Sequence, residues 1–141
     1  MKEIELNPLI SDLQLTYMSI AGYIESSSIV YIAAGRYLMI WKYGSQKEWI
    51  VYDKIVGNIE RVCPIDLGRV ATLSSLNGLV VVTSNDIFLL GLTNECDIVD
   101  YQMHVSIPQS SVIDIISTSD GRVFLSCKDG YLYEFIYGQN V

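Results

Sequence analysis

The stretch Val112–Tyr137, which reads VIDIISTSDGRVFLSCKDGYLYEFIY, determines the fold that the sequence predicts. It contains three runs rich in Val, Ile, Leu, Phe and Tyr, separated by the pairs Asp120-Gly121 and Asp129-Gly130. β-Branched and aromatic residues favour strands, and Asp-Gly favours tight turns with positive φ between antiparallel strands. The stretch therefore predicts a three-stranded antiparallel meander.

Two earlier parts of the chain repeat the same hairpin. The repeats comprise Ile29–Ala34 and Tyr37–Tyr43 around Gly35-Arg36, and Leu79–Ser84 and Ile87–Leu92 around Asn85-Asp86. The first residues after the three turns, Tyr37, Ile87 and Tyr131, are 50 and 44 residues apart. This spacing is close to the period of roughly 40–50 residues that is typical of propeller blades.

Further strand-like runs extend these hairpins to four strands. Runs precede all three hairpins at Leu15–Gly22, Ile59–Asp66 and Val112–Thr118, and runs follow the first two at Glu48–Asp53 and Asp97–Met103. We therefore predict an all-β, partial β-propeller of about three four-stranded antiparallel blades, the last of them incomplete. It is expected to form a single domain over residues 1–141, with repeat units at approximately 15–54, 58–105 and 111–137.

The third unit lacks a run for its outermost strand, and a closed propeller needs about 4–8 blades. We therefore expect the chain to be part of a longer propeller, completed by further residues or by a partner. The aromatic residues of the last run share one strand face and are expected to pack between blades: Tyr131, Tyr133, Phe135 and Tyr137. An open strand edge at this position predicts self-association.

A short helix is predicted before the first unit. Asn7 can cap it, and Pro8 suits its first position. Apolar residues then fall near one helical face at Leu9, Ile10, Leu13 and Tyr17.

Composition and charge exclude several classes of protein. Half of the 141 residues are hydrophobic and only 18% are charged, which excludes a disordered segment. The net charge of −7 opposes direct binding to nucleic acid and polybasic docking on a membrane. The longest stretch without a charge, residues 70–85, is too short and too polar to span a bilayer. Acidic residues from Glu3 onward interrupt any signal peptide.

No catalytic, cofactor-binding or metal-binding residue is predicted, and the binding residues stay unknown. Cys63, Cys96 and Cys127 are odd in number and far apart, which favours buried thiols over a disulfide framework or a zinc site. A redox or metal site would need His104 nearby, and a lone histidine is more often a surface residue than a catalyst.

The remaining polar residues match no enzyme motif. The serines Ser26–Ser28 stand outside any Gly-x-Ser-x-Gly elbow, and the glycines form no phosphate-binding loop. Solvated faces and turns account for the carboxylates that could pair, namely Asp53 with Glu60 and Asp97 with Asp100. These observations argue against an enzyme.

Two binding alternatives have weaker support. The aromatic alternation of residues 131–137 could stack single-stranded nucleic acid, but Lys128 is the only base nearby. The segment Leu67–Gly78, with Val70, Leu73 and Leu76, is interpreted as an ordinary loop. The alternative for this loop is weak contact with a membrane of loosely packed lipid, since such segments are amphipathic and weakly charged.

Four segments carry a resemblance to a known family. They are residues 121–135 (GRVFLSCKDGYLYEF), 37–43 (YLMIWKY), 79–92 (LVVVTSNDIFLLGL) and the entry Asn7-Pro8-Leu9. The first resembles a signature segment of one propeller, and the second resembles a strand of its first blade. The third resembles the hairpin of its second blade, and the last resembles the entry of the chain into the propeller. That propeller is the N-terminal domain of the large inner-ring scaffold nucleoporins, the propeller-plus-α-solenoid family of the nuclear pore.

The resemblance implies a non-enzymatic scaffold component of the nuclear pore complex at the nuclear envelope. Such a component supports nucleocytoplasmic transport by docking to other nucleoporins. These residues include no solenoid, so the resemblance implies no contact through one. Relatives also carry a long loop, linked to the pore membrane, after the second-blade hairpin. Here that loop is short and acidic, with Glu95, Asp97 and Asp100, which argues against membrane contact through it.

Two other interpretations stay open at this point. One is a propeller fragment of another large assembly, such as a vesicle coat or an RNA-processing scaffold. The other is a small ligand-binding β enzyme or lectin-like domain, which predicts a concave pocket with converging polar groups.

Overall fold

The computed structural model describes residues 1–3, 20–68, 77–106 and 111–137. These residues form eleven strands in three antiparallel sheets, and they contain no helix. The helix predicted near residues 7–17 lies outside the described residues. No helix among the described residues is long and apolar enough to cross a membrane.

Each sheet is a meander of strands that are consecutive in sequence. The first sheet contains β1 (Ile20–Ile24), β2 (Ile29–Ala34), β3 (Tyr37–Lys42) and β4 (Ile50–Tyr52). The second contains β5 (Ile59–Asp66), β6 (Asn77–Thr83), β7 (Asp86–Leu92) and β8 (Ile98–Ser106). The third contains β9 (Val112–Ser117), β10 (Val123–Cys127) and β11 (Leu132–Phe135).

The turns contain the residues predicted for them, except that one turn is shifted by one residue. Gly35, Gly121 and Gly130 have φ values of 59°, 85° and 86°, which glycine adopts without the steric cost of a side chain. The second hairpin turns at Ser84-Asn85 instead of Asn85-Asp86, because Asp86 already pairs with Ser106 on β8. The Thr83 hydroxyl stabilises this turn by accepting hydrogen bonds from the backbone N–H groups of Asn85 and Asp86.

The strand bounds differ from the sequence prediction at the outer strands. β4 is three residues long, since Trp49 precedes it as a buried side chain. β8 instead extends to Ser106, three residues beyond its predicted end, and pairs with the whole of β7. The first strand continues to Ile24, and the part of its prediction before Ile20 lies outside the described residues.

The three sheets are stacked, with a first apolar layer between the first and second sheets and a second apolar layer between the second and third sheets. Side chains that alternate along β6 separate into the two layers: Leu79 and Val81 face the first sheet, whereas Val80 and Val82 face the third. All four are 0% exposed. The continuous apolar run LVVV is thus the signature of a strand that is buried on both faces.

Hydrogen bonds join β5 to both neighbouring sheets. Arg61 on β5 donates two of them to the carbonyl of Ile113, at 2.6 and 3.1 Å. The Ser117 hydroxyl donates to the carbonyl of Pro64 at 3.0 Å. On the other side, the backbone N–H of Ile59 donates to the carbonyl of Gly35 at 2.8 Å. These bonds fix the relative position of the three sheets.

The aromatic face predicted for residues 131–137 is only partly formed. Phe135 and Tyr137 are buried against the second sheet, and Tyr133 packs beside them. Tyr131 continues this row, with its ring 6.4 Å from that of Tyr133, but it precedes β11 and is 68% exposed, so it is not packed between sheets. The packing between sheets therefore starts at Tyr133, and the prediction was wrong for Tyr131.

Candidate docking surface

The third sheet presents an edge strand among the described residues. The backbone N–H of Cys127 donates to the carbonyl of Tyr131 at 3.2 Å, which sets the alternation of the β10–β11 ladder. In an antiparallel pair, every second residue bonds to the same neighbour, so Tyr133 and Phe135 bond to β10. The backbone groups of Leu132 and Glu134 point to the opposite side, where the described residues supply no strand.

A groove of about 270 Å³ runs along this edge, between the second and third sheets. We call it the edge groove. Ile87, Val105 and Ser106 form its wall on the second sheet. The opposite wall is formed by residues of the third sheet, including Leu125, Tyr133, Phe135 and Ile136. The lining is predominantly apolar, which suits apolar side chains better than a polar metabolite.

The outer face of the third sheet is the second part of the surface. It consists of the side chains that point away from the second sheet: Asp114, Ile116, Phe124, Ser126, Leu132 and Glu134. Ile116 and Leu132 are 59% and 68% exposed. Arg122 crosses the face, pairing with Glu134 at 3.0 Å and lying over the ring of Phe124. A cluster of large exposed apolar side chains with a polar rim is typical of a protein-binding surface.

A carboxylate at the turn before β11 orients the groove wall. Asp129 accepts hydrogen bonds from the Tyr133 hydroxyl at 2.6 Å and from the backbone N–H of Tyr131 at 3.0 Å. These bonds lower the pKa of Asp129, because they stabilise its ionised form. The same carboxylate raises the pKa of Tyr133 to about 12. Tyr133 therefore stays neutral and has a fixed orientation at the groove.

A second groove of about 220 Å³ lies between the first and second sheets. It combines the apolar Trp41 and Cys96 with the cations Lys42 and Lys47. Lys42 donates a hydrogen bond to the carbonyl of Asn94 at 3.0 Å, so it links the two sheets. The lining of this groove also includes Ile50 on β4, the edge strand of the first sheet, and the carboxylates Glu48 and Glu95.

The three cysteines lie where the sequence analysis expects apolar residues. All three are free and buried, Cys96 in the first apolar layer and Cys63 and Cys127 in the second. Burial raises the pKa of each thiol, which disfavours the reactive thiolate. The prediction of buried thiols is confirmed. Among residues 1–3, 20–68, 77–106 and 111–137, no group of His, Cys, Asp and Glu could hold a metal ion.

The histidine and the carboxylates considered for catalysis are separate in space or serve the fold. His104 is exposed on β8 and stacks on Phe88, with ring centroids 5.6 Å apart. Asp100 accepts a hydrogen bond from the Tyr52 hydroxyl at 2.8 Å and so joins the second sheet to the first. Burial, together with this bond, raises the pKa of Tyr52.

The predicted loop Leu67–Gly78 begins directly after β5, as expected, but its last two residues already belong to β6. Leu67 is 0% exposed in the second apolar layer, and Asn77 already begins β6. Residues 69–76, which include the three apolar residues considered for lipid contact, lie outside the described residues. Lipid contact through them stays a prediction.

The sequence pattern predicts the strands on both sides of the edge groove but not the groove itself. The groove exists because β8 extends to Ser106 in the neighbouring sheet, and β11 has no strand above this part of β8 among the described residues. Such a feature depends on how two sheets overlap, and strand periodicity within one sheet does not report it.

Comparison with known proteins identifies the family. A family model described as "Nup133 N terminal like" matches residues 5–140. A protein of Schizosaccharomyces pombe described as a "Probable nucleoporin" is 31% identical over 116 residues, which cover 76% of this chain and 9% of that protein.

A solved structure supports the fold. The crystal structure of the Chaetomium thermophilum Nup170 NTD–Nup53 complex contains a chain that matches with a TM-score of 0.65 and 24% identity. The match covers 86% of this chain and 19% of that one, so the chain spans less than a fifth of either relative. The chain belongs to the Nup133 N-terminal-like family of nucleoporins, components of the nuclear pore complex at the nuclear envelope.

Proposed function

We propose that this chain is a structural, non-enzymatic scaffold component that supports nucleocytoplasmic transport by docking to other nucleoporins. Its units at residues 15–54, 58–105 and 111–137 act as one propeller-like domain. The observation that carries the proposal is the contrast between the buried faces of the second sheet and the exposed Ile116 and Leu132 on the outer face of the third.

Three further observations support a docking role. The edge groove and the outer face adjoin along β11, where Glu134 belongs to both, so a partner can contact both of them. Cross-sheet hydrogen bonds hold this sheet in a fixed position, which lowers the entropic cost of binding. The similar chain of Chaetomium thermophilum was crystallised in a complex with Nup53, a second nucleoporin by name.

The test is recovery of nucleoporins with the tagged chain from cells that express it. We expect nucleoporins to be enriched with the wild type and to be reduced by Ile116→Asp/Leu132→Asp, which places two charges on the outer face. Val56→Asp is the matched control, because Val56 is 77% exposed outside the proposed surface. Equal recovery with all three proteins would contradict docking through the third sheet.

A further inference from the structure

We propose that Ser45 is a phosphorylation site and that its phosphate loosens the contact between the first and second sheets. Ser45 lines the second groove, which lies between these sheets and contains residues of two turns. The turns are residues 43–49, between β3 and β4, and residues 93–97, between β7 and β8. The inference goes beyond the proposed docking function and does not rest on the third sheet.

The turn that carries Ser45 is accessible to an enzyme. Tyr43 and Gly44 before Ser45 and residues 46–48 after it are exposed, whereas Ser45 itself is half-buried. Ser45 Oγ accepts a hydrogen bond from the backbone N–H of Lys47 at 3.0 Å. Because the oxygen is the acceptor, this bond does not engage the hydroxyl proton. Surface turns carry functional residues more often than the strands they connect.

The modification is an ordinary phosphoryl transfer from a nucleoside triphosphate held by a protein kinase. Ser45 Oγ attacks the γ-phosphorus and forms a new O–P bond, while the bond from that phosphorus to its bridging oxygen breaks. The nucleoside diphosphate leaves with the electron pair, and the hydroxyl proton passes to a base of the kinase. Glu48 is exposed three positions after Ser45, so it offers a negative charge to a kinase that recognises acidic substrates.

The charges around Ser45 favour a phosphate at this position. Lys42 and Lys47 line the same groove, and phosphoserine forms charge-assisted hydrogen bonds with ammonium groups. Basic residues are scarce in this chain, which has 9 of them and 16 acidic residues. An exposed serine elsewhere, Ser84, lies two residues before Asp86 instead. The two lysines therefore distinguish Ser45 as a position that accommodates a phosphate charge of about −1.5 to −2.

The phosphate competes with a bond that joins the two sheets. Lys42 on the first sheet donates a hydrogen bond to the carbonyl of Asn94 on the second at 3.0 Å. A phosphate on Ser45 is a stronger acceptor than a neutral carbonyl, so it draws the ammonium group away from Asn94. Glu95 lines the same groove from the second sheet, and a phosphate repels its carboxylate. Both effects separate the turn of residues 93–97 from the first sheet.

Cys96 reports whether this turn moves. It lines the second groove, lies in the turn of residues 93–97 and is 5% exposed. Separation of the turn from the first sheet uncovers the Cys96 thiol. Cys63 and Cys127 are buried in the second apolar layer, away from this groove, and serve as internal references.

The first experiment asks whether Ser45 carries a phosphate. The tagged chain is purified from cells that express it, in the presence of phosphatase inhibitors, and its peptides are analysed by mass spectrometry. We expect a phosphopeptide whose fragmentation places the phosphate on Ser45 and not on Tyr43, and which is lost in Ser45→Ala. A digest that contains the peptide with residue 45 only in its unmodified form would overturn the inference.

The second experiment measures what the phosphate does. Phosphoserine is encoded at position 45, or at position 84 as the matched control, because Ser84 lies at the opposite end of β7. The rate at which iodoacetamide alkylates Cys96 should rise about two- to tenfold with phosphoserine at 45, as for the loss of one hydrogen bond. Lys42→Gln should act in the same direction, since it removes the ammonium group that bonds to Asn94. Phosphoserine at 84 should leave the rate unchanged.

The reference thiols separate a local change from general unfolding. Faster alkylation of Cys96 with unchanged rates at Cys63 and Cys127 supports a loosened groove. An unchanged or slower rate at Cys96 with phosphoserine at 45 would contradict the loosening, and equal acceleration at all three thiols would assign the effect to unfolding of the domain. Recovery of nucleoporins that depends on Ile116 and Leu132 tests the docking function independently of each of these results.

Discussion

The second and third sheets are built from the same hairpin but differ in what covers them. The second sheet has four strands and apolar layers on both faces, and its central residues Val80 and Val81 are 0% exposed. The third sheet has three strands and buries one face, where Val123 and Leu125 are 0% and 2% exposed. Its outer face is exposed. Among the described residues, apolar side chains of the outer face such as Ile116 and Leu132 therefore remain exposed, whereas the central side chains of the second sheet are buried.

This difference is visible in the pattern of buried and exposed residues along the strands. β6 is apolar at consecutive positions because both of its faces are buried. β10 alternates instead, with Val123, Leu125 and Cys127 buried and Phe124 and Ser126 half-buried. Equivalent strands of the repeat therefore carry different patterns, and in β6 and β10 the pattern reports how many faces of the strand are buried.

The largest expected effect is that of a cavity in the second sheet. Leu89 on β7 is 0% exposed, so Leu89→Ala should lower the free energy of unfolding by about 2–5 kcal/mol. Leu132→Ala, at a site that is 68% exposed, should change it by less than about 0.5 kcal/mol. Urea unfolding followed by tryptophan fluorescence measures both. Similar losses would show that the two sheets contribute equally, and the comparison would fail.

A smaller loss is expected where the second sheet has no room for a side chain. A Cβ atom on Gly78 would lie 2.8 Å from the carbonyl oxygen of Leu90 and 2.8 Å from a methyl carbon of Leu67. The carbonyl belongs to the paired strand β7 and cannot move freely, so Gly78→Ala should cost about 1–3 kcal/mol. Ser126→Ala on the third sheet is the control. A variant at Gly78 as stable as the wild type would mean that β6 and β7 separate easily.

The repeats made most of this fold predictable from sequence, for a physical reason. Turn chemistry is local: Asp129-Gly130 and Gly35 need positive φ whatever surrounds them, so the hairpins followed from a few residues each. The bounds of β4 and β8 depend on pairing with distant strands, and the sequence placed them less well. Tyr131 shows the same limit, because the turn, not the alternation, sets its exposure.

The docking surface was less predictable than the fold. Val105 and Ser106 line the edge groove but belong to β8, in a different sheet from β11. Their proximity to β11 arises from the stacking of two sheets. The spacing of strands along the sequence does not show which strands of different sheets lie close together.

Removing the hydrogen bonds between Arg61 on the second sheet and Ile113 on the third should lower the free energy of unfolding moderately. Arg61→Met removes the guanidinium that donates to the carbonyl of Ile113 and keeps the aliphatic stem. We expect a loss of about 0.5–1.5 kcal/mol in urea unfolding. Ser117→Ala removes the other bond and should behave alike. If the third sheet unfolded separately from the second in the Arg61 variant, amide exchange in β10 would rise while that in β6 stayed slow.

The smallest effect is a pH dependence that belongs to the third sheet alone. The folded pKa of Asp129 is below its usual value of 3.8, so its bond to Tyr133 contributes stability above that value. This contribution is lost as pH falls through the lowered folded pKa. The pKa of Tyr133 is raised to about 12, so the contribution is complete below the usual tyrosine value of 10.0 and is lost as pH rises through about 12.

Asp129→Asn tests this assignment. The difference in melting temperature between wild type and variant should be constant from about pH 5 to 9 and should shrink on both sides of that range. Glu95→Gln, in the turn of the second sheet, is the control and should show no such pattern. A difference that persisted unchanged at pH 2.5 would mean that the carboxylate does not hold the β11 turn. The edge groove would then lack a fixed wall at Tyr133.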